Sequence, residues 1–328
     1  MNEPVFATVI IPVYNSRAGL EKCLGSLSEQ TYPRNKFEVI IVDDGSTDGA
    51  GESAKSYQKL AGIDLKYFYQ ENKGPAAARN LGVKHSRGDI IAFIDSDCVP
   101  AKNWLEEILK GYDLDKTAGV GGVIEAVPTA SKVSQYCAFA RMNRTPEIDS
   151  AGVVYLITGN ASFRRDRLIA ANGFDERFDF PGGEDLDLCC RFKQSGYIFQ
   201  VNRNAVVYNS HKQSLAQLSR TYFNYGKGQA FLLAGKMSKW DLASVSGVKW
   251  WFYFLAVLVK MALKFIVNLK WLPRCLKIPF YALYYYGKGL SFNDSFRYAI
   301  YDYLRLLVFV QGCFCGYFIG KFRGFKRA

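Results

Sequence analysis

The first hundred residues repeat one pattern that leaves little choice of fold. Short runs of β-branched and apolar residues each end abruptly in polar ones. Thr8-Val9-Ile10-Ile11-Pro12-Val13 stops at Tyr14-Asn15, Phe37-Glu38-Val39-Ile40-Ile41-Val42 at Asp43-Asp44, and Asp89-Ile90-Ile91-Ala92-Phe93-Ile94 at Asp95-Ser96-Asp97. Leu65-Lys66-Tyr67-Phe68-Tyr69 is a weaker run of the same kind. Runs this short, apolar at successive positions, suit strands buried on both faces of a parallel sheet. Helical spacing of Leu20, Leu24 and Leu27 predicts a helix from about Arg17, and further helices are expected near 48–60 and 75–86. Strands alternating with helices predict βαβ units and a mostly parallel α/β sheet. A late strand is expected at Ala205-Val206-Val207-Tyr208, and a helix start at Gly182-Gly183-Glu184-Asp185-Leu186-Asp187-Leu188.

In open sheets of this kind, ligands bind beyond the carboxyl ends of the strands. The polar residues of this chain gather at those ends. Turn and cap chemistry explains one or two such residues; it does not require acidic clusters on neighbouring strands. Carboxylates at i and i+2, as in Asp95-Ser96-Asp97, could hold a hard divalent cation that takes water or phosphate oxygens in its other positions. Taken alone, that triplet is common by chance. The phosphate loop G-x-x-x-x-G-K-[ST] and the dinucleotide fingerprint G-x-G-x-x-G are both missing. A diphosphate would therefore be neutralised by metal and basic side chains. Near Gly183, carboxylates at a helix start are favoured by the helix dipole, and one of them could project into a cleft as a general base.

Composition narrows the function classes. His85 and His211 are the two histidines, which removes most zinc sites and most Ser-His-Asp arrangements. The eight cysteines include no C-x-x-C pair, as expected of a reduced, cytosolic protein. Net charge is +12, and from Lys239 onward the chain holds 14 Lys/Arg against 3 Asp/Glu. Residues 1–238 hold 28 against 27. A near-neutral domain over 1–238 and a basic, aromatic-rich helical region over 239–328 are therefore expected. A cationic aromatic tail suits an anionic membrane surface, and the near-neutral first part argues against nucleic acid.

Within the tail, Trp250 to Leu269 is apolar, with Lys260 and Lys264 on one stripe, like a helix lying in a membrane interface. Leu304 to Ile319 is a second apolar stretch, with Gly312, Gly316 and Gly320 spaced for close helix contact. If both crossed a membrane, Lys270, Arg274, Lys277, Lys288 and Arg297 would lie outside, against the positive-inside rule. A monotopic tail on the cytoplasmic face is the preferred expectation.

Several segments together resemble the inverting family 2 glycosyltransferases of GT-A fold, over about 230 residues. They are Val9-Ile10-Ile11-Pro12-Val13-Tyr14-Asn15, Val42-Asp43-Asp44-Gly45-Ser46-Thr47-Asp48, Asn72-Lys73-Gly74 with Ala78-Arg79-Asn80-Leu81-Gly82, Ile94-Asp95-Ser96-Asp97, Thr158-Gly159-Asn160, and Gly183-Glu184-Asp185-Leu186-Asp187-Leu188. The resemblance implies a GT-A (nucleotide-diphospho-sugar transferase) fold and a membrane-associated helical region behind it. It implies that Pro12, Tyr14, Asn15 and Asp43 cradle the nucleoside, that Arg79 lies near the diphosphate, and that Asp95 and Ser96 complete the nucleotide-sugar site. By the same resemblance Asp97 is a metal ligand for Mn2+ or Mg2+, with His211 completing the metal site. Asp185, beside Glu184, is the catalytic base, and Gly159, Asn160 and Gly183 lie on the acceptor side. Residues 126–155, with Arg141 and Arg144, are expected to add a lid there.

The implied reaction moves one sugar from a nucleotide-sugar, UDP-linked by preference, to a hydroxyl of a lipid-linked or glycan acceptor in surface polysaccharide or glycolipid synthesis. One departure bears on this. Processive relatives carry Q-x-x-R-W, whereas Gln217-Leu218-Ser219-Arg220 is followed here by Thr221 and Tyr222, which favours single-sugar addition. Two alternatives remain at this point: a polyprenyl-phosphate glycosyl transferase of the same fold, and a non-catalytic membrane adaptor with a degenerate transferase domain.

Overall fold

The computed structural model describes residues 4–60, 62–112, 114–127, 129–140, 146, 148–149, 152–210, 213–235 and 278–322. The chain forms two compact units: Met1–Thr129 with Cys137–His211, and Ala130–Tyr136 with Lys212–Ala328. The composition break near Lys239 therefore falls inside the second unit, 27 residues after the packing boundary.

The first unit opens with the expected alternation: β1 (Ala7–Val13), α1 (Arg17–Ser28), β2 (Phe37–Asp43), α2 (Ala50–Leu60), β3 (Asp64–Tyr69), α3 (Pro75–His85) and β4 (Ile90–Ile94). There follow β5 (Cys98–Pro100), α4 (Trp104–Ile108), β6 (Thr117–Ala126) and α5 (Lys132–Phe139), whose first turn belongs to the second unit. A small hairpin, β7 (Ile148–Asp149) with β8 (Gly152–Val153), precedes β9 (Asn160–Arg164), α6 (Arg165–Ala170), α7 (Glu184–Gln194) and β10 (Ile198–Asn209). The main sheet has the order β3-β2-β1-β4-β9-β6-β10-β5. β9 and β5 run against the other six strands. The sheet is thus mostly parallel, as expected, but mixed.

Burial on both faces explains the unbroken apolar runs. β2 is buried at every position, and β1 at every position but Pro12. Alternate residues of β1 and β2 pack under α1 and α2 with Leu20, Leu24 and Leu27. The opposite face carries an aromatic stack in which Phe93 meets Phe163 and Phe174 edge-on, and Phe163 lies flat on Phe192. α3 approaches this face so closely that a Cβ on Gly82 would sit 2.6 Å from Ile10 Cγ2. His85 stacks on Phe68 with centroids 4.2 Å apart, a packing role.

The sheet also buries charge. Glu38 of β2 is wholly buried at the amino end. It accepts hydrogen bonds from Thr8 Oγ1 (2.8 Å), Lys66 Nζ (2.7 Å), and Arg87 N and Nε (2.7 and 3.0 Å). One carboxylate thereby ties β1, β2, β3 and the α3–β4 turn together. Burial pushes its pKa up, but Lys66, Thr8 and Arg87 outweigh burial and leave it lowered.

The second unit holds α8 (Leu215–Gly235), α9 (Ile278–Tyr286) and α10 (Phe292–Phe322). α8 and α10 meet at glycines: a Cβ on Gly226 would strike the Phe309 carbonyl, one on Gly312 that of Phe223, and one on Gly316 that of Lys227. The spacing of Gly312 and Gly316 thus marks a helix contact, as expected. Asp302 of α10 accepts hydrogen bonds from the hydroxyls of Tyr136 and Tyr285 and lies 3.3 Å from Arg305 Nη2. Tyr136 stands edge-on to Tyr298 and Tyr301, so much of the aromatic content is spent on this packing. Among the described residues, Phe292–Tyr317 is the one helix long and apolar enough to cross a membrane by length and composition. The apolar stretch Trp250 to Leu269 lies outside the described residues.

Replacing Glu38 by Ala should destabilise the first unit by about 3 kcal/mol, the low end for a broken buried pair because Lys66 and Arg87 can turn to water. A depressed carboxyl pKa gives stability that is complete above the unfolded value and lost as pH falls through the folded one. The deficit of Glu38→Ala, read by denaturant unfolding, should therefore shrink as pH drops below about 4.

Candidate active site

The carboxyl ends of β1, β2, β4, β6 and β10 lie on one edge of the sheet, and β9 enters from that edge with Asn160 opposite Ile94. Almost every polar residue singled out in the sequence falls there.

At the end of β1, Tyr14 is exposed and Asn15 adopts φ +50°, a left-handed conformation that asparagine tolerates. Asn15 Oδ1 accepts from Thr47 N (2.8 Å), and its own N–H donates to Ser46 Oγ (3.0 Å), joining the ends of β1 and β2. Asp43 is buried, accepting from Ser46 N (2.8 Å) and the Tyr67 hydroxyl (2.9 Å). Burial first, then Asp43, pushes the Tyr67 hydroxyl's pKa up, so it stays a donor. Asp44 turns the other way and holds the loop before α3, accepting from Gln70 Nε2, Lys73 N and Gly74 N at 2.7–2.9 Å. That role was hidden in the Asn72-Lys73-Gly74 signal.

After β4 the chain makes a tight turn, with Cys98 N donating to Asp95 O at 3.0 Å. The turn carries Asp95, the buried Ser96 and Asp97. Asn209, at the end of β10 and paired with Cys98, donates from Nδ2 to Asp97 Oδ1 at 3.0 Å. Gly159 lets β9 begin beside Asp95: a Cβ there would lie 2.7 Å from Asp95 Oδ2. Asn160, expected on the acceptor side, is buried instead among the strands. It accepts from Trp104 Nε1 (2.8 Å) and donates to the carbonyls of Val123 and Ala205 (2.9 Å each), fixing β6, β9 and β10 at this edge.

Arg79 of α3 connects the two acidic groups. It is 5% exposed; Nη1 lies 2.9 Å from Glu184 Oε1 and Nη2 3.4 Å from Asp95 Oδ1, with its guanidinium 5.6 Å from the Phe174 ring centroid. Glu184 Oε2 in turn accepts from Gly182 N at 2.7 Å. Gly182 (φ +124°) and Gly183 (φ +100°) take conformations that side chains rarely adopt, and so turn the chain into α7. Asp187 pairs with Arg191 at 2.9 Å, and Arg191 also donates to the Gly173 carbonyl at 2.8 Å. Of the three acids at the helix start, then, Glu184 and Asp187 are held by cations.

Asp185 is the third. It is partly buried and accepts from Leu186 N at 2.8 Å. Its pKa is raised to about 7, by burial first and by the Glu184 charge second, against the opposing pull of Arg79. A carboxyl poised near neutrality at a sheet's ligand edge has the protonation chemistry of a general base.

The sequence model of Glycosyl transferase family 2 matches residues 8–169, and that of Glycosyl transferase family group 2 matches residues 90–288. Glycosyltransferase AglE of Haloferax volcanii is 32% identical over 230 residues, 68% of this chain and 73% of that protein. The chain belongs to glycosyltransferase family 2. A pre-mycofactocin glycosyltransferase of Mycobacterium tuberculosis is 31% identical over 248 residues, 73% of this chain and 50% of that protein. The chain thus spans about half the length of that second relative. The mannosyltransferase PcManGT of Pyrobaculum calidifontis, solved in complex with GDP-Man and Mn2+, superposes with a TM-score of 0.62 at 19% identity, covering 98% of this chain and 88% of that one. This likeness bears out the GT-A fold.

The Mn2+ or Mg2+ ion expected from the sequence takes mostly oxygen ligands. Among the described residues no three His, Cys, Asp or Glu side chains converge on one point. Asp95 and Asp97 offer oxygen ligands on one tight turn, which fits a Mg2+- or Mn2+-type ion held by one or two carboxylates and otherwise by water and phosphate. His211, two residues beyond Asn209, lies outside the described residues, as do Arg141 and Arg144.

A raised carboxyl pKa costs stability wherever the unfolded chain would ionise and the folded one resists. With an ordinary value of 3.8 and a folded value of about 7, that loss accrues as pH rises between the two and is constant above. Asp185→Asn, which carries no charge, should therefore gain thermal stability relative to wild type as pH rises from 4 to 7, with no further gain at pH 8. A melting-temperature difference that stays flat across this range would contradict the assigned pKa.

Proposed function

We propose that this glycosyltransferase transfers a single sugar, with inversion, from a nucleoside-diphosphate sugar to a hydroxyl of a lipid-linked or glycan acceptor. A UDP-linked donor is favoured. The observation that carries the reading is Asp185: a carboxyl with a pKa near 7 in the first turn of α7, beside a Glu184–Arg79 pair that reaches Asp95.

In this reading Tyr14, Asn15 and Asp43, with Pro12, bind the nucleoside at the ends of β1 and β2. Asp95 and Ser96 face the ribose and diphosphate, and Gly159 and Gly183 leave room for the acceptor. Asp97, with His211, would hold a divalent cation, which when bound neutralises charge on the diphosphate. Asp185 accepts the proton of the acceptor hydroxyl as its oxygen bonds to the anomeric carbon. The bond from that carbon to the diphosphate oxygen breaks, and its electron pair leaves with the nucleoside diphosphate. Attack opposite the leaving group inverts the anomeric centre. Arg79 is buried, so it serves by fixing Asp95 and Glu184 and by restraining the rise in the Asp185 pKa. The basic tail supports placement on the cytoplasmic face of an anionic membrane, in surface polysaccharide or glycolipid synthesis.

The test is nucleoside-diphosphate release from a panel of nucleotide-sugars, UDP-linked donors and GDP-mannose included, with and without Mn2+ or Mg2+ and a membrane lipid extract. Wild type should release from one donor, more so with lipid. Asp185→Asn should keep donor affinity and lose at least about 100-fold in turnover. Asp97→Ala should lose the metal-dependent part of donor binding. The wild-type kcat/KM should rise with pH to a plateau, with a midpoint near 7, because the base must be ionised. Turnover of Asp185→Asn equal to wild type would refute the assignment.

A further inference from the structure

α10 sorts its residues by chemistry around its axis. Advancing about 100° per residue, Phe292, Phe296, Leu306 and Phe314 fall within about 50° of their mean direction, over about 33 Å of helix. All four are exposed: Phe292 66%, Phe296 43%, Leu306 36% and Phe314 39%. Asp294, Arg297 and Arg305 lie on the other side of the helix with Gly312 and Gly316, which pack on α8; Asp302 lies on the flank, and Lys321 follows the line at its end. Asp302 and Arg305 are held by Tyr136, Tyr285 and Tyr222. α9 adds exposed Tyr284 and Tyr286, and Lys288 lies 5.6 Å from the Tyr284 ring centroid. Large apolar side chains exposed together on one side of one helix mark a contact surface rather than scattered surface residues.

We propose that the apolar stripe of α10 from Phe292 to Phe314 is the surface that docks this unit on an anionic lipid bilayer, with α10 lying in the plane of the interface. Two observations favour lipid as the occupant. The region from Lys239 on carries 14 cationic side chains against 3 anionic ones, which complements anionic headgroups and opposes pairing with a second copy of itself. Exposed tyrosines and a lysine beside a phenylalanine stripe are the composition of an interfacial helix, with rings at headgroup depth and apolar side chains below. The in-plane orientation follows from what lies halfway along the helix. A crossing α10 would carry Asp302 and Arg305 to the bilayer's middle. Lying flat, the helix keeps both groups out of the acyl chains.

This deepens the proposed membrane placement and rests on it, so the test reads binding without turnover. Full-length protein is floated with vesicles of phosphatidylcholine alone and with added phosphatidylglycerol. Leu306→Glu/Phe314→Glu places two charges in the stripe. Asn293→Glu/Gln311→Glu places the same charge on exposed flanking positions. The stripe variant should partition at least about tenfold less well into anionic vesicles than the flank variant, which should stay within about threefold of wild type. Alkaline carbonate should strip the wild type from the vesicles. Equal losses in both variants would overturn the proposal, as would carbonate-resistant wild type, which would mean a crossing helix. A change in sedimentation of the stripe variant without lipid would assign the stripe to a second copy instead. Nucleoside-diphosphate release in detergent, measured separately, reports on the transferase reading alone.

Discussion

The buried pair between Arg79 and Glu184 is the interaction on which the candidate site depends. It joins side chains 105 residues apart at 2.9 Å, with both nearly sealed from water. Removing two charges from solvent is costly unless their remaining hydrogen-bonding capacity is met. Glu184 meets that requirement through Gly182 N. Arg79 meets most of it through Asp95 and the face of Phe174, although its Nε has no partner. The pair locks α3, which lies behind β1, to the first turn of α7. It thereby fixes Asp185 relative to the Asp95–Asp97 turn, and a mutation that loosens it would displace Asp185 and alter its charge environment together.

The sheet supplies the platform for that lock. β9 enters between β4 and β6 against their direction, so its amino end coincides with their carboxyl ends. This reversal sets Gly159 beside Asp95 and Asn160 among β6, β9 and β10. Asn160 spends its amide on Trp104, Val123 and Ala205. The same edge receives Asn209 from β10, whose amide orients Asp97. An all-parallel sheet would need a long crossover to bring these pieces to one place.

What the sequence made legible follows from how local the cause is. β1, β2 and β4 read as buried strands because continuous apolar runs report burial on two faces, and Asp43, Asp95 and Asp97 were visible because they interrupt those runs. Gly312 and Gly316 marked a helix contact since their spacing alone brings them to one face. Glu184 read as a neighbour of the base, and its pairing with Arg79 was not legible, because no periodicity encodes that contact. Asn160 read as facing the acceptor, whereas three carbonyl and indole partners from distant segments claim it. The boundary at 238 was read from charge, but charge reports the medium a segment meets. Packing is decided by Gly226 and Tyr136, which draw α8 and the start of α5 into the second unit.

Two acids at opposite edges of the sheet, Glu38 and Asp185, show how local donors set a carboxyl's charge. Glu38, at the amino edge, has four donors from Thr8, Lys66 and Arg87, and its charge is stabilised despite complete burial. Asp185, at the carboxyl edge, has the Leu186 N–H and the repulsion of Glu184, and its charge is disfavoured. Burial raises both, and the donors decide whether it is outweighed. Supplying Asp185 with donors as Glu38 is supplied would stabilise the fold and lower its pKa, and would leave a carboxylate too weakly basic to take a hydroxyl proton near neutral pH.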